Sequence, residues 1–221
     1  MEGKIAEIFE SIQGEGIYQG VKQIFIRFYG CNLNCKFCDT KLNSYREYGT
    51  EALLKKIRHY NGNYHSISLT GGEPLLQADF LKELLPGMRK EKIYLETNGT
   101  LPEELGQIID RIGIISMDIK LPSSTGLRGF WDEHRRFLKV GLKKNLFVKT
   151  VVCKSTKLED LRIAVGLIGE FDKNIPFILQ PNSFEIGKGL MDIIKRLQKF
   201  CLNNLSDVRI IPQMHKFLKV K

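Results

Sequence analysis

The sequence lacks the long apolar runs that membrane proteins need. No stretch approaches the roughly 20 apolar residues that span a bilayer, and the opening Met-Glu-Gly-Lys-Ile has no apolar signal region. Only five of the 221 residues are cysteines, and this odd number argues against a disulfide framework. We therefore expect a cytoplasmic protein that makes no membrane contact and keeps its cysteines reduced.

Acidic residues are fewer than basic ones, with 25 Asp and Glu against 34 Lys and Arg, so the net charge is +9. Such a charge attracts anions, for example a carboxylated substrate, an acidic electron-donor protein or nucleic acid. The lysines are spread along predicted helices and form no stripe interleaved with aromatic residues, which favours solvated helix faces and no direct nucleic-acid binding. The length and the 43% hydrophobic content predict a single domain over residues 1–221.

Three of the five cysteines lie within eight residues, in the pattern C-x3-C-x2-C. Iron–sulfur clusters are held by Cys thiolates, and a cubane usually takes four of them. Cys31, Cys35 and Cys38 therefore predict a 4Fe–4S cluster with one iron open to a ligand that is not protein. A structural zinc site is the alternative, but it needs four closed ligands. No second cysteine pair exists, because Cys153 and Cys201 stand alone and are expected in the core.

Strand-like runs alternate with stretches of helical spacing along the chain. The predicted strands span residues 24–28, 67–69, 92–95, 114–119, 146–152, 177–179 and 208–211. This alternation predicts parallel strands with right-handed crossovers, and the helices are too few for an eight-unit barrel. The stretch 121–126 predicts a loop. Since chemistry gathers at the C-terminal ends of parallel strands, the motifs that follow the strands are expected to meet at one rim.

A second motif, Thr70-Gly71-Gly72-Glu73-Pro74, follows one of the predicted strands. Paired glycines let a backbone approach a ligand closely, although such a string is also typical of a plain turn. Downstream of C-x3-C-x2-C, the motif resembles that of the radical S-adenosylmethionine superfamily. Four further segments are similar to the 7-carboxy-7-deazaguanine synthase family, so that the resemblance covers nearly the whole chain: Ser11–Gly16, Arg27–Cys31, Cys38–Thr40 and Pro212–Lys216.

The resemblance implies a fold, a reaction and partners. The fold would be α/β, a partial (β/α)6 barrel, with a 4Fe–4S cluster, S-adenosyl-L-methionine and Mg²⁺. The reaction would be that of a carbon–nitrogen lyase converting 6-carboxy-5,6,7,8-tetrahydropterin to 7-carboxy-7-deazaguanine, with ring contraction and loss of ammonia, in the biosynthesis of queuosine or archaeosine. The implied partners are the carboxypterin, a reducing protein such as a flavodoxin or ferredoxin, and a second copy in a homodimer.

The resemblance also implies residues that bind S-adenosylmethionine. These are Phe37, Cys38, Asp39, Gly72, Glu73, Asp118, Ile119, Lys120, Gln180, Pro181, Asn182 and Ser183. The residues by themselves leave plainer interpretations open. Phe37 is equally typical of core packing, Asp118 and Lys120 of a salt bridge at a strand end, and Gln180 and Asn182 of a polar turn.

The implied substrate-binding residues are Ile12, Gln13, Gly14, Glu15, Arg27, Thr70 and His215. Arg27 lies on an otherwise apolar strand, which is costly unless the guanidinium meets an anion, and a carboxylate suits its fork geometry. His215 would be interpreted as a surface histidine without the resemblance. Thr40 is the implied Mg²⁺ ligand, with a turn cap as the alternative, because Mg²⁺ prefers oxygen ligands.

Two rival functions remain at this point. A glycyl-radical activating enzyme shares the cluster and the Gly-Gly-Glu-Pro motif but acts on a protein, and Gln13–Gly16 and Gln213–Lys216 argue against it. A non-enzymatic iron–sulfur or zinc protein is disfavoured by the three ligands. The chain also departs from the family, because similar enzymes often end in proline, whereas this one ends Lys219-Val-Lys221. Its cluster loop has the short superfamily spacing, and both departures leave the contacts of the tail open.

Overall fold

The computed structural model of the protein describes residues 1–40, 42–60, 62–214 and 216. Their strands all lie in one sheet, in the spatial order β3-β1-β2-β4-β5-β6-β7-β8-β9. Along the chain the strands are β1 (Glu2–Ile12), β2 (Lys22–Phe28), β3 (Arg46–Gly49), β4 (Ser66–Gly71), β5 (Ile93–Thr97), β6 (Ile114–Asp118), β7 (Asn145–Val152), β8 (Phe177–Pro181) and β9 (Val208–Ile210). The sheet begins at β3 and ends at β9, so it curves without closing.

The strand β2 and the six strands from β4 to β9 are parallel. Six helical crossovers connect these seven strands, and they contain the helices α1 (Thr50–Ile57), α2 (Ala78–Leu84), α3 (Pro102–Ile108), α4 (Pro122–Thr125), α5 (Trp131–Gly141), α6 (Leu158–Gly169) and α7 (Lys188–Leu202). All seven predicted strands are present, and the predicted partial (β/α)6 barrel is confirmed. That one domain spans residues 1–221 stays a prediction.

The sequence patterns did not predict β1 or β3. Strand β1 pairs antiparallel with β2 on one side and with β3 on the other. Directly opposite side chains of such a pair interact. Thus the Phe9 ring stacks on the Phe25 ring with 5.1 Å between centroids, and Glu7 lies opposite Arg27. The first strand therefore adds a side wall to the predicted parallel sheet.

Two apolar layers hold the sheet. The larger one fills the space between the sheet and the helices and includes the buried Cys201, while Cys153 is buried at the end of β7, as predicted for both cysteines. The smaller one lies on the opposite face, where Tyr18 meets Tyr94 edge-on at 5.8 Å and approaches Phe147 at 6.3 Å. Gly16 at φ +65° allows this approach, because a Cβ there would lie 2.5 Å from the Phe147 ring.

The stretch 121–126 is a helical turn, not the predicted loop. Pro122 begins α4, and Gly126 ends it with φ +76°, a left-handed conformation that favours glycine. The carbonyl of Thr125 accepts a hydrogen bond from the Lys36 amide at 3.0 Å. The Ser124 hydroxyl is 2.7 Å from that of Thr156. This turn therefore supports the segment that carries the three cysteines.

None of the described helices combines the length and the apolar character that a bilayer-spanning segment requires.

Candidate active site

The carboxyl ends of the strands surround a cavity of about 1070 Å³. Side chains two residues apart on a strand share a face, so the inner wall of β5 to β8 is built in layers. The lowest layer is apolar and consists of Tyr94, Ile114, Phe147 and Ile178. Two residues further along each strand come Glu96, Ser116, Lys149 and Gln180, and two further still come Asn98, Asp118, Val151 and Asn182. The apolar layer lies beneath the cavity, and the cavity itself is lined by both polar and apolar side chains.

The three cysteines of the C-x3-C-x2-C motif line this cavity as free thiols. Their segment, residues 31–38, follows β2 and is called the cluster loop below. The Glu73 amide donates to the Gly30 carbonyl at 2.8 Å at the start of this loop. A Cβ on Gly72 would lie 1.9 Å from the same carbonyl oxygen, and one on Gly71 would lie 2.2 Å from the carbonyl oxygen of Phe28. The paired glycines are therefore needed to pack the second motif against the cluster loop.

The donor set fits an iron–sulfur cluster. No three Cys, His, Asp or Glu side chains of the described residues are grouped to hold one ion, but each thiolate of a cubane binds a different iron. Burial raises the pKa of Cys35 to about 11, although the nearby Lys120 lowers it. Within the described part of the chain, Asp118 Oδ1 and Gln180 Oε1 are buried without a hydrogen-bond partner. Both residues line the cavity, so a bound ligand can satisfy them.

Glu73 does not line the cavity, although Gly72 does. Its carboxylate is fully buried and accepts hydrogen bonds from the Leu75 amide at 3.1 Å, the Thr97 hydroxyl at 2.9 Å and the Asn98 amide at 2.7 Å. Burial raises the pKa of Glu73 to about 7, while these three donors lower it. The carboxylate therefore joins the ends of β4 and β5, and contact between this residue and the cofactor amine stays a prediction.

Asp118 and Lys120 form a salt bridge of 2.8 Å at the end of β6, with side chains 10% and 14% exposed. Burial lowers the pKa of Lys120, but the Asp118 carboxylate and Cys35 together raise it by more, so the net shift is upward. The Lys120 ammonium also lies 5.5 Å from the centroid of the Phe37 ring. All three side chains line the cavity, whereas Ile119 and Pro181 are buried outside its lining. Asn182 and Ser183 continue the lining beyond β8.

The Gln13–Glu15 segment enters the cavity after β1, together with Ile12. Gln13 donates from Nε2 to Glu96 Oε1 at 2.7 Å and to Gln23 Oε1 at 3.0 Å. The Thr70 hydroxyl donates to the other Glu96 oxygen at 2.7 Å. One carboxylate thus joins two predicted substrate residues. The sequence analysis assigned no role to Glu96, although its position directly after the predicted strand 92–95 was a usable signal.

A network of charged and polar side chains in the cavity links Glu15, near the start of the chain, to Gln213 and Lys216 near its end. Lys149 is paired with Glu15, and the Lys149 side chain is only 9% exposed. Glu15 also accepts from Gln213 Nε2 at 2.7 Å. The same Gln213 nitrogen donates to Asp39 Oδ2 at 3.2 Å, and Lys216 lies 2.9 Å from that oxygen. Burial lowers the pKa of Lys149, but Glu15 and other carboxylates raise it by a larger amount, so the net shift is upward. Lys149 is therefore a charged cavity residue that the sequence analysis missed.

Arg27 and Thr40 both line the cavity, and their predicted roles in binding the substrate and Mg²⁺ stay predictions. The Arg27 Nε donates to Glu7 Oε2 at 3.0 Å, and its guanidinium lies 5.5 Å from the Phe9 ring centroid. The Thr40 hydroxyl donates to Asp39 Oδ1 at 3.3 Å. A hydroxyl beside a carboxylate is a donor set of the oxygen type that Mg²⁺ takes. The predicted substrate residue His215 lies outside the described residues.

Comparison with known proteins agrees with this geometry. Residues 25–151 match the model of the Radical SAM superfamily. The 7-carboxy-7-deazaguanine synthase of Geobacter sulfurreducens is 38% identical, with 97% of this chain and 96% of the relative covered. The chain belongs to the 7-carboxy-7-deazaguanine synthase family. The synthases of Archaeoglobus fulgidus and Thermoplasma acidophilum are 35% and 32% identical, and the matches cover 96% or more of each chain.

Solved structures show the same fold. A crystal structure of QueE from Escherichia coli has a TM-score of 0.68 at 24% identity and covers 96% of this chain and 94% of its own. A crystal structure of archaeal TYW1 has a TM-score of 0.56 at 18% identity and covers 83% of this chain and 72% of its own. At these identities the two likenesses support the open α/β barrel and not a substrate.

Proposed function

We propose that this chain converts 6-carboxy-5,6,7,8-tetrahydropterin to 7-carboxy-7-deazaguanine, contracting the ring and releasing ammonia, as a carbon–nitrogen lyase in the synthesis of 7-deazapurine nucleosides. The observation that carries the proposal is a single cavity with three free thiols on one wall and a paired network of amides, carboxylates and cations on the other. Membership of the synthase family supports the same reaction.

Cys31, Cys35 and Cys38 would hold the 4Fe–4S cluster, and S-adenosylmethionine would occupy the open iron. Together these two groups supply a carbon-centred radical that can remove a hydrogen atom from the substrate. The chain's own task is to bind and orient the reacting molecules and to exclude water. The buried Asp118 Oδ1 and Gln180 Oε1 suit the hydroxyl and amine donors of the cofactor, and Lys120 suits its carboxylate.

The pterin would bind between β1 and β7. Its ring edge offers donors and acceptors together, which the amide of Gln13 and the carboxylate of Glu96 can match. Arg27 would bind the substrate carboxylate. Thr40, together with Asp39, would hold Mg²⁺ between the cluster loop and the substrate. Lys149 keeps Glu15 at the cavity wall, where a buried acid without a partner would be unfavourable.

The proposed assembly has two protein partners. A radical enzyme of this kind needs a reductant, and the net charge of +9 favours an acidic donor such as a flavodoxin or ferredoxin. We also propose a homodimer. The free cavity thiols favour a reducing cytoplasm as the compartment.

An assay of cofactor cleavage tests this proposal against the rival function. Anaerobically reconstituted protein is incubated with reductant and S-adenosylmethionine, with and without the carboxypterin. The proposed function predicts 7-carboxy-7-deazaguanine only when the pterin is present, with little net loss of S-adenosylmethionine. Stoichiometric cleavage of S-adenosylmethionine without any pterin, and no deazaguanine with it, would favour the glycyl-radical activating enzyme.

A further inference from the structure

Asn98 lies directly after β5, is 6% exposed and has a partner for each of its polar groups. Its amide donates to Glu73, and its carbonyl is 3.1 Å from His134 Nε2. Its side-chain oxygen accepts from the Thr100 amide at 3.0 Å and from the Thr100 hydroxyl at 2.6 Å. These two donors fix the orientation of the side-chain amide, because only its oxygen can accept them.

The nitrogen of that amide is consequently directed at the cluster loop. Asn98 Nδ2 donates to Asn32 Oδ1 at 2.9 Å and lies 4.0 Å from the sulfur of Cys31. Asn32 returns a hydrogen bond to the Thr100 hydroxyl at 2.8 Å. The side chains of Asn98, Asn32 and Thr100 thus form a closed ring of three hydrogen bonds, which joins the end of β5 to the residue that follows the first cluster cysteine.

His134 on α5 supports this ring of hydrogen bonds through its contact with the Asn98 carbonyl. The His134 side chain is fully buried, and burial lowers the pKa of its imidazole to about 4, so the imidazole is neutral near pH 7. A neutral imidazole that meets a carbonyl through Nε2 carries its proton there. Gly99, at φ +69°, leaves space for the His134 imidazole, because a Cβ on Gly99 would lie 3.3 Å from His134 Cδ2 and 2.7 Å from Met117 Cε.

We propose that Asn98 is a positioning residue that fixes Cys31 and directs an N–H to its sulfur, making the cluster easier to reduce. Reduction adds negative charge to the cluster, and a hydrogen bond to a ligand sulfur stabilises that charge, which raises the reduction potential. The inference rests on the proposed function, since it requires a cluster on the three cysteines. The Thr100 hydroxyl acts through Asn98 by holding its amide in this orientation.

The test is a redox titration of the reconstituted cluster, followed by electron paramagnetic resonance, without S-adenosylmethionine or substrate. The variants are Asn98→Ala, which removes the donor, and Thr100→Val, which keeps the shape but removes one of the two hydrogen bonds that fix the Asn98 side-chain amide. A lost hydrogen bond of ordinary strength predicts that Asn98→Ala lowers the ratio of reduced to oxidised cluster about tenfold at the wild-type midpoint, or about 59 mV for a one-electron couple. Thr100→Val should shift the ratio in the same direction by less.

Asn174→Ala is the matched control, because Asn174 is exposed and bonds only to Asp172 in the described structure. It should keep the wild-type midpoint. An Asn98→Ala protein that binds a full cluster with the wild-type midpoint would overturn the inference. If Asn98→Ala holds no iron, an unchanged midpoint in Thr100→Val would overturn it instead. Failure of the wild-type chain to take up any cluster would refute the proposed function itself, which separates the two outcomes.

Discussion

Replacing Arg27 with Lys should weaken substrate binding and leave cofactor binding intact. Arg27 on β2 lies directly opposite Glu7 on β1, and the two side chains form a salt bridge. The Phe9 ring also contacts the Arg27 guanidinium, so the guanidinium is held in place from two sides. Glu7 occupies the Nε side of the fork, so we expect the substrate carboxylate to bind the two terminal nitrogens. A lysine has one point charge and cannot serve both carboxylates with this geometry.

The magnitude follows from the partly buried setting, since the Arg27 side chain is 21% exposed. A hydrogen bond to a charged group contributes about 1.5–3 kcal/mol. Its loss corresponds to a Kd for the carboxypterin that is about 10- to 150-fold higher, at about 1.4 kcal/mol per factor of ten. Isothermal titration calorimetry under anaerobic conditions, with the carboxypterin and separately with S-adenosylmethionine, measures both affinities.

Glu7→Gln is the matched control for this experiment. It keeps a polar partner for Arg27 but removes a negative charge close to the proposed carboxylate site, so substrate affinity should be equal or higher. The reasoning is refuted if Arg27→Lys binds the carboxypterin as tightly as wild type, or if its affinity for S-adenosylmethionine falls while that for the pterin does not.

Three further predictions concern the cluster, the metal and the buried acid. Cys35→Ala should abolish the reducible cluster of about four irons, whereas Cys201→Ala should retain it, as measured by iron analysis. Uptake of a single zinc ion by the wild-type protein would contradict the assignment of a cluster. Thr40→Val should imitate removal of Mg²⁺ in turnover assays and Thr40→Ser should keep the metal response, while wild-type Mg²⁺ activation in Thr40→Val would show that the residue only caps a turn. Glu73→Gln should lower the free energy of unfolding by about 1–3 kcal/mol in urea titrations, because one buried acceptor oxygen becomes a donor, and unchanged stability would contradict its joining role.

Much of the fold was predictable because most strands are buried on both faces. Runs such as Ile24–Phe28 and Leu146–Val152 are apolar and β-branched, and parallel sheets covered by helices need such runs. Strand β1 was missed because one of its neighbours is the short β3 and much of it is half-buried, so charged residues such as Glu7 and Glu10 interrupt its pattern. The turn α4 was missed because Pro122 and Gly126 indicate a loop as readily as a capped helical turn.

The candidate site was predictable where a motif carries it. The cysteines, Thr40 and the Gln13–Glu15 segment line one cavity, as local patterns and the family resemblance implied. Lys149 was missed because a single charged residue inside a strand has no local signature, and its partner Glu15 lies 134 residues away in the sequence. Glu96 follows a predicted strand, but its role depends on Gln13 and Thr70, which belong to other segments of the chain. The burial of Glu73 was also hidden, since its three donors come from two separate elements.

The most direct test of the account is to count products in one anaerobic reaction that contains the reconstituted protein, reductant, Mg²⁺, S-adenosylmethionine and 6-carboxy-5,6,7,8-tetrahydropterin. The account predicts equal amounts of 7-carboxy-7-deazaguanine and ammonia, both well above the amount of S-adenosylmethionine lost. A protein with a reducible cluster that forms neither product from the carboxypterin would contradict it.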